Sequence, residues 1–482
     1  MSAAAQSVRI NPKELARQIG ENPLSFLDAT YDSGFLIDDE ERQVAQLAAA
    51  RQRFETLRPR LPALAKLAVD QGIESIGGFG DLAALLFPHT VYKSYPFSFI
   101  EQGRFDRLTR WFSSLTTVSL AAIDTNGIAT IDDWIAALER GTSLAPIHTF
   151  GTSGKLSFLP RTREHVRITV TLNARCVRDF DGAYSGPDLL IDHRPLIAPS
   201  YRRGASAIAR GMNLMAELYG GGTALFLYPE ALFSADVLSL AGRLRAAETR
   251  GEAGRLELPA ALQARRQEFA QREANRPQDL DRFFTEAASR FAGREVFLFA
   301  VWPILFEWAN EGLKRGLKGI FGPNSILTSG GGSKGRPLPP DHRERIAEFL
   351  GFTRTLEFFG MSELMANAPR CQLGNYHFPP VVIPFVLDGD TGQMLPREGL
   401  QTGRLALMDL LPDSYWGGLV TGDQVTLAGF GTPCDCGRRG PYVHPEISRY
   451  SDLKNGDDKI NCAGAPEAHD RAIEFLLDRS GA

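Results

Sequence analysis

From Asn11 to about Asp70, charged residues are interleaved with Leu, Ala and Phe, as in RQVAQLAAARQRFETLRPRLPALAKLA, and prolines punctuate the run. That spacing predicts helices, and residues 1–140 read as a helical N-terminal portion. The segment HTVYKSYPFSFI, His89 to Ile100, interrupts it with prolines and aromatics. TIDDWIAALER, Thr130 to Arg140, then predicts a helix whose early acidic residues suit the helix dipole. After Gly141 the texture changes to short apolar runs between Gly, Pro and Ser clusters: LLIDHRPLIAP, GTALFLYPEALF, VFLFAVWPILF, SILTSGGGSKG, TRTLEFFGMSE and VVIPFVLDGD. Such runs alternate with helix-length stretches, which predicts an α/β core with buried sheets over 141–402. Within it, the Arg-, Ala-, Glu- and Gln-rich stretch from Ala241 to Arg290 reads as two exposed helices. TGRLALMDLL and GGLVTGDQVTLAGFG predict a small β lobe over 403–450, followed by a tail, 451–482.

At 482 residues the chain exceeds the size of a single hydrophobic core, about 250 to 300 residues, so several lobes are expected. With 43% hydrophobic and 23% charged residues it is an ordinary globular composition. A net charge of −4 supplies neither a basic footprint for nucleic acid nor a polybasic membrane anchor. The five cysteines, an odd number, argue against a disulfide framework and for a reducing, cytoplasmic setting. The first residues have no continuous apolar stretch of the secretory kind, and the most apolar run, Val296 to Phe306, is interrupted by Pro303 and is too short to span a bilayer.

Four constellations carry candidate chemistry. In His148-Thr-Phe-Gly-Thr-Ser-Gly-Lys155, small residues let backbone N–H groups converge on an anion while a lysine adds a point charge. It is not a Walker A loop, because Thr149 stands at the first glycine position and Leu156 follows the lysine; an ordinary glycine-rich turn uses the same residues. Leu327-Thr-Ser-Gly-Gly-Gly-Ser-Lys334 follows a strand-like run and offers either bare backbone for a flat ligand or a plain loop. Thr355-Leu-Glu-Phe-Phe-Gly-Met-Ser-Glu363 puts a hydroxyl and a carboxylate after a strand, where open α/β sheets bind ligands and where Glu363 suits Mg²⁺; a helix start is the alternative. Leu419-Val-Thr-Gly-Asp423 offers two acceptor oxygens to vicinal hydroxyls, or forms a simple hairpin turn. Separately, Cys434 and Cys436, with Cys371 and His444, make a conceivable zinc set, although C-x-C is not the usual C-x-x-C knuckle.

In this order and spacing the four motifs resemble those of the adenylate-forming superfamily, the acyl-CoA synthetases and their relatives. Within it the YKSYP segment near Lys93, the GTSGK loop, the GGGSK segment and the PCDCGRRGP run from Pro433 to Pro441 resemble phenylacetate-CoA ligase-like enzymes and the acyl-protein synthetase of bacterial luminescence. The likeness covers about residues 85 to 464. It implies a multilobed N-terminal region and a two-step reaction: a small carboxylic acid and MgATP give acyl-AMP and pyrophosphate, and a thiol of CoA, a carrier protein or a protein cysteine takes the acyl group. By motif match, Thr149, Gly151, Thr152, Ser153, Gly154 and Lys155 face phosphates. Gly330, Gly331 and Gly332 lie near adenine, Ser362 and Glu363 near phosphate and Mg²⁺, and Asp423 on the ribose. The family carries its C-x-C-G turn without needing metal, and Cys462 matches in position the cysteine that acyl-protein synthetases acylate.

Departures from the pattern shape the expectations. Phe150 replaces a frequent serine of the phosphate loop, and Lys454-Asn-Gly456 stands before Asp457 and Asp458 where Gly-Arg is usual, leaving Arg438 or Arg449 to substitute. About two dozen residues follow Asp458, against roughly a hundred in a full C-terminal subdomain, so that subdomain is expected to be truncated. The customary adenylation lysine has no match; Lys155, Lys334 and Lys459 are the replacements. Alternative readings are a nucleotide-binding partner subunit of a reductase or carrier complex, and an acid-amido synthetase with an amine as acceptor.

Overall fold

A computed structural model of the chain describes residues 10–149, 155–179, 193–252, 260–330 and 338–450. The N-terminal portion is helical, as its periodicity predicts. Asp38 caps the helix Asp39–Leu57 by accepting from the Glu40 N–H, and the helix opens with Asp39, Glu40 and Glu41. Thr130 caps Ile131–Gly141 in the same way, through the Asp133 N–H.

Strands β1 (Phe87–Pro88), β2 (Ile147–Thr149), β3 (Ser157–Leu159), β4 (Leu196–Gly204), β5 (Ala224–Phe233), β6 (Phe297–Phe299), β7 (Ile326–Gly330), β8 (Thr355–Phe359) and β9 (Ala368–Pro369) come first in the chain. β2 and β3 form an antiparallel hairpin. The sheet β5-β4-β6-β7-β8-β9 is parallel except for its last strand. It is buried on both faces: Leu196, Ala198, Phe297 and Ile326 join one apolar cluster, while Ile197, Leu298 and Leu327 join another. This is why its strands read as continuous apolar runs.

The second sheet contains β10 (Tyr376–His377), β11 (Val382–Leu387), β12 (Gly399–Asp409), β13 (Gly418–Phe430), β14 (Tyr442–Val443) and β15 (Ser448–Arg449). Its order is β10-β14-β13-β12-β11, with β15 and β1 also paired to β13. The β lobe therefore starts well before residue 403 and recruits β1 from the N-terminal portion. VVIPFVLDGD reads as part of the α/β core because its apolar run is continuous, and every residue of β11 is indeed buried. The physical reason is period-2 alternation between two cores. Val382 and Val386 face a cluster containing Leu15 and Ile19, whereas Ile383, Phe385 and Leu387 face Ala49, Ala50, Phe54 and Leu57 of the helix Asp39–Leu57. Fully buried Trp416 joins the latter cluster edge-on to Phe54, 6.2 Å between ring centres. Each such large side chain adds about 2 to 3 kcal/mol by removing apolar area from water.

Ala241 to Arg290 departs from the expectation in its first half. The helix Ala235–Thr249 buries Val237, Leu238, Leu240 and Leu244 in the core, and the helix Arg266–Arg290 carries the exposed charge. Among the described residues no helix is long and apolar enough to cross a membrane.

Candidate functional site

Two parallel strands end side by side at the candidate site. Gly330 closes β7 opposite Phe358 of β8, and a Cβ on Gly330 would lie 2.8 Å from the Phe358 carbonyl oxygen. Only glycine fits without moving the neighbouring backbone. Past β8 the chain turns through Gly360, Met361, Ser362 and Glu363, with the Leu364 N–H donating to the Met361 carbonyl at 3.1 Å. The turn lies at the carboxyl edge of the sheet, where open α/β folds bind ligands.

Arg161, 1% exposed and just beyond β3, anchors this turn from below. One Nη donates to the Ser362 carbonyl at 2.8 Å, the other to Thr169 Oγ1 at 3.3 Å, and its guanidinium lies 5.9 Å from the Tyr415 ring centre. Burial pushes the Glu363 carboxyl above the usual carboxylate range; Arg161 and Arg449 oppose that rise and Asp423 adds to it. Glu363 and Asp423, from motifs in different sheets, therefore share one electrostatic neighbourhood.

On β13, Thr421 donates its hydroxyl to the Leu405 carbonyl at 2.8 Å and accepts the Asp423 N–H at 3.1 Å. The Asp423 carboxylate, 6% exposed, meets Arg449 Nε at 3.2 Å across the β13–β15 pairing. The parallel pairing of β1 with Leu419 and Val420 brings the YKSYP segment to the same region, where Tyr92 donates to the Trp416 carbonyl at 3.1 Å. Tyr92 is buried and feels the Glu363 charge. Tyr95 donates to the Leu156 carbonyl at 2.9 Å and carries Lys155 Nζ above its ring at 4.9 Å. Burial and the nearby Lys93 cation both lower the Lys155 pKa. The two lysines together bring positive potential to this region.

Thr149 and Lys155 flank the GTSG stretch, with Thr149 opposite Ser157 in the β2–β3 hairpin. Gly151, Thr152, Ser153, Gly154, Gly331, Gly332 and Cys462 lie outside the described residues, as do Lys334 and Lys459.

Arg438 stands apart from this group. It follows the Cys-x-Cys-Gly turn, reaches Asp32 at 3.4 Å, and lines a cavity of about 770 Å³ with Ile326, Thr355 and Leu356. Those residues begin β7 and β8, so the cavity opens at the opposite end of the strands from Gly330 and Glu363. Arg449 is the arginine at Asp423, because β15 pairs with β13 there. Arg161 was missed altogether. Its one signal is position, in the LPRT run that follows the GTSGK motif in sequence.

No protein-family profile matches the chain, and no curated protein matches it. Among solved structures it is similar to 2-hydroxyisobutyryl-CoA ligase in an open conformation with 2-HIB-AMP and CoA, at 15% identity and a TM-score of 0.48, covering 86% of this chain and 71% of that one. It is also similar to ATP-bound MatB from Rhodopseudomonas palustris, at 16% identity and a TM-score of 0.36, covering 64% of this chain and 48% of that one. A third similarity is to the luciferase-like enzyme of the nonluminescent Zophobas morio mealworm, at 13% identity and a TM-score of 0.32, covering 63% of this chain and 56% of that one. At such identities and scores, what this chain does has to be argued from its own residues.

Proposed function

We propose that this chain is an ATP-dependent, acyl-adenylate-forming ligase for a small carboxylic acid. A carboxylate oxygen attacks the α-phosphorus of ATP, the bond to the bridging oxygen breaks, and pyrophosphate leaves with that electron pair. A thiol then attacks the acyl carbon and AMP departs. The observation that supports this reading is that Glu363 and Asp423, from separate motifs, share one electrostatic neighbourhood with Arg161 and Arg449, with Arg161 bonded to the Ser362 carbonyl and Arg449 paired to Asp423.

In this reading Asp423, held by Arg449, accepts from the ribose hydroxyls, and Gly330 leaves backbone free for the adenine plane. Lys155 and Thr149 meet phosphate oxygens, with Lys93 adding positive potential. Glu363 is a hard oxygen donor just past the carboxyl end of β8, which fits Mg²⁺; the ion, when bound, would neutralise phosphate charge. Because phosphoryl chemistry asks little covalent work of the protein, placing the carboxylate in line and stabilising charge are the main contributions. The acceptor thiol is that of CoA, a carrier protein or Cys462.

The test is a panel of carboxylic acids incubated with purified chain, MgATP and hydroxylamine. Acid-dependent pyrophosphate release together with the matching hydroxamate is the expected result. ATP binding with no acid-dependent pyrophosphate release would favour a nucleotide-binding subunit and overturn the ligase reading. Replacing hydroxylamine by CoA separates thiol from amine acceptors, and a hydroxylamine-labile mass adduct lost in Cys462→Ser assigns the protein cysteine.

A further inference from the structure

Three cysteines and a histidine from distant parts of the chain converge on one point. One potential ligand atom from each of Cys371, His377, Cys434 and Cys436 lies within 4.8 Å of all the others. Cys371 begins a tight turn after β9, closed by the Gly374 N–H donating to the Cys371 carbonyl at 2.9 Å. Cys434 and Cys436 stand on a second turn, closed by the Gly437 N–H donating to the Cys434 carbonyl at 2.8 Å, with Gly437 at φ +88°. Only glycine adopts that conformation readily, and it lets the C-x-C spacing bring both thiols to one side. The pairing of β10 with β14, His377 opposite Tyr442, lays the two turns against each other.

We propose that Cys371, His377, Cys434 and Cys436 form a structural zinc site. Zn²⁺ bonded to sulfur at about 2.3 Å and to nitrogen at about 2.0 Å sets ligand atoms roughly 3.5 to 3.8 Å apart in a tetrahedron. The observed separations need only a small contraction to reach that geometry, and Cys436 Sγ already lies 3.4 Å from His377 Nε2. Sulfur-rich tetrahedral sets select zinc over the hard cations, and four protein ligands leave no open position for catalysis.

Three surrounding features fit this occupant. His377 is fully buried and turns its Nε2 to the Cys436 thiol, so that the ring nitrogen able to bond a metal faces the other three ligands. Asn375 Nδ2 lies 3.4 Å from Cys434 Sγ and can support a thiolate. Zn²⁺ with three thiolates and one imidazole carries one net negative charge. Arg438 lines one cavity with Cys371 and Cys436, and the buried Arg42 donates to the Arg439 carbonyl at 3.3 Å, so both bring positive charge to this neighbourhood. The site would staple the turn after β9 to the β13–β14 loop. That loop in turn reaches the N-terminal helices through Arg438 with Asp32 and Arg439 with Asp38.

This inference is independent of the ligase reading and is tested on the full chain purified in the presence of reductant and without chelator. Elemental analysis should find about one zinc per chain. Cobalt substitution should give the intense visible bands of a tetrahedral thiolate site. Cys436→Ser and His377→Gln should lose metal while His444→Gln keeps it. If the variants do not fold, the wild-type chain still decides: zinc should protect Cys371, Cys434 and Cys436 from alkylation until a chelator is added. A chain that holds no zinc even after incubation with it, or Cys371, Cys434 and Cys436 alkylated equally with and without zinc, overturns the proposal.

Discussion

Replacing Arg161 by Met keeps most of the side chain's volume and removes its charge. The side chain is 1% exposed and donates at 2.8 Å to the Ser362 carbonyl, the residue before Glu363. Thr169 loses little, because its hydroxyl still donates to the His165 carbonyl at 2.9 Å. What disappears is one charged hydrogen bond, worth about 1.5 to 3 kcal/mol, and the cation that offsets the burial of Glu363. If that energy holds the Ser362–Glu363 turn in its working position, ATP–pyrophosphate exchange should fall roughly 10- to 150-fold. A second consequence distinguishes this from simple loosening. Glu363 titrates above the usual carboxylate range, so exchange should rise with pH as Glu363 ionises, and without Arg161 that rise should move to higher pH. The assay is acid-dependent exchange of labelled pyrophosphate into ATP across a pH series, with circular dichroism as the control for folding. Exchange within about twofold of wild type and an unmoved pH limb would refute the role given to Arg161.

Gly330→Ala forces a Cβ to within 2.8 Å of the Phe358 carbonyl oxygen, backbone that cannot rotate away, and should destabilise the chain by about 1 to 3 kcal/mol in urea unfolding. Asp132 and Asp236 cap each other's helices: the Ala235 N–H donates to Asp132 at 2.8 Å and the Ile131 N–H to Asp236 at 2.8 Å. Burial and the Asp132 charge push Asp236 up to about 8, so the pair retains a proton in the folded chain. A carboxyl raised in the folded state favours folding below its unfolded pKa, and that contribution is lost as pH rises through the folded value. Thermal stability should therefore decline as pH rises toward and through about 8 in wild type and less in Asp236→Asn; equal slopes would remove Asp236 as the cause.

The motifs that were legible in the sequence are local ones. Gly330, Glu363 and Asp423 each stand beside glycine or small residues that a turn or strand end requires, so short stretches suffice to mark them. Arg161 and Arg449 act across long sequence separations, and nothing in their immediate neighbours distinguishes them from surface arginines. Arg438 looked equivalent to Arg449 until the strand pairing put one beside Asp32 and the other beside Asp423. The histidine of the cysteine cluster shows the same limit. His444 is nearer in sequence to Cys436, but its ring stacks on Tyr442 and its N–H donates to the Thr426 carbonyl at 3.0 Å, while the β10–β14 register delivers His377. The α/β class was readable because buried parallel strands lack alternation. The same cue misassigned β11, an antiparallel strand that shows no alternation because both its faces are covered.

In the proposed reaction Glu363 and Asp423 act on one nucleotide during carboxylate activation. Acid-dependent exchange of labelled pyrophosphate into ATP, measured on wild type, Glu363→Gln and Asp423→Ala with the responsive acid, tests it most directly. Each variant removes a charged contact in a partly desolvated site and should lower exchange by at least about 100-fold with circular dichroism unchanged. Near-normal exchange in both folded variants would show that neither carboxylate acts on the nucleotide.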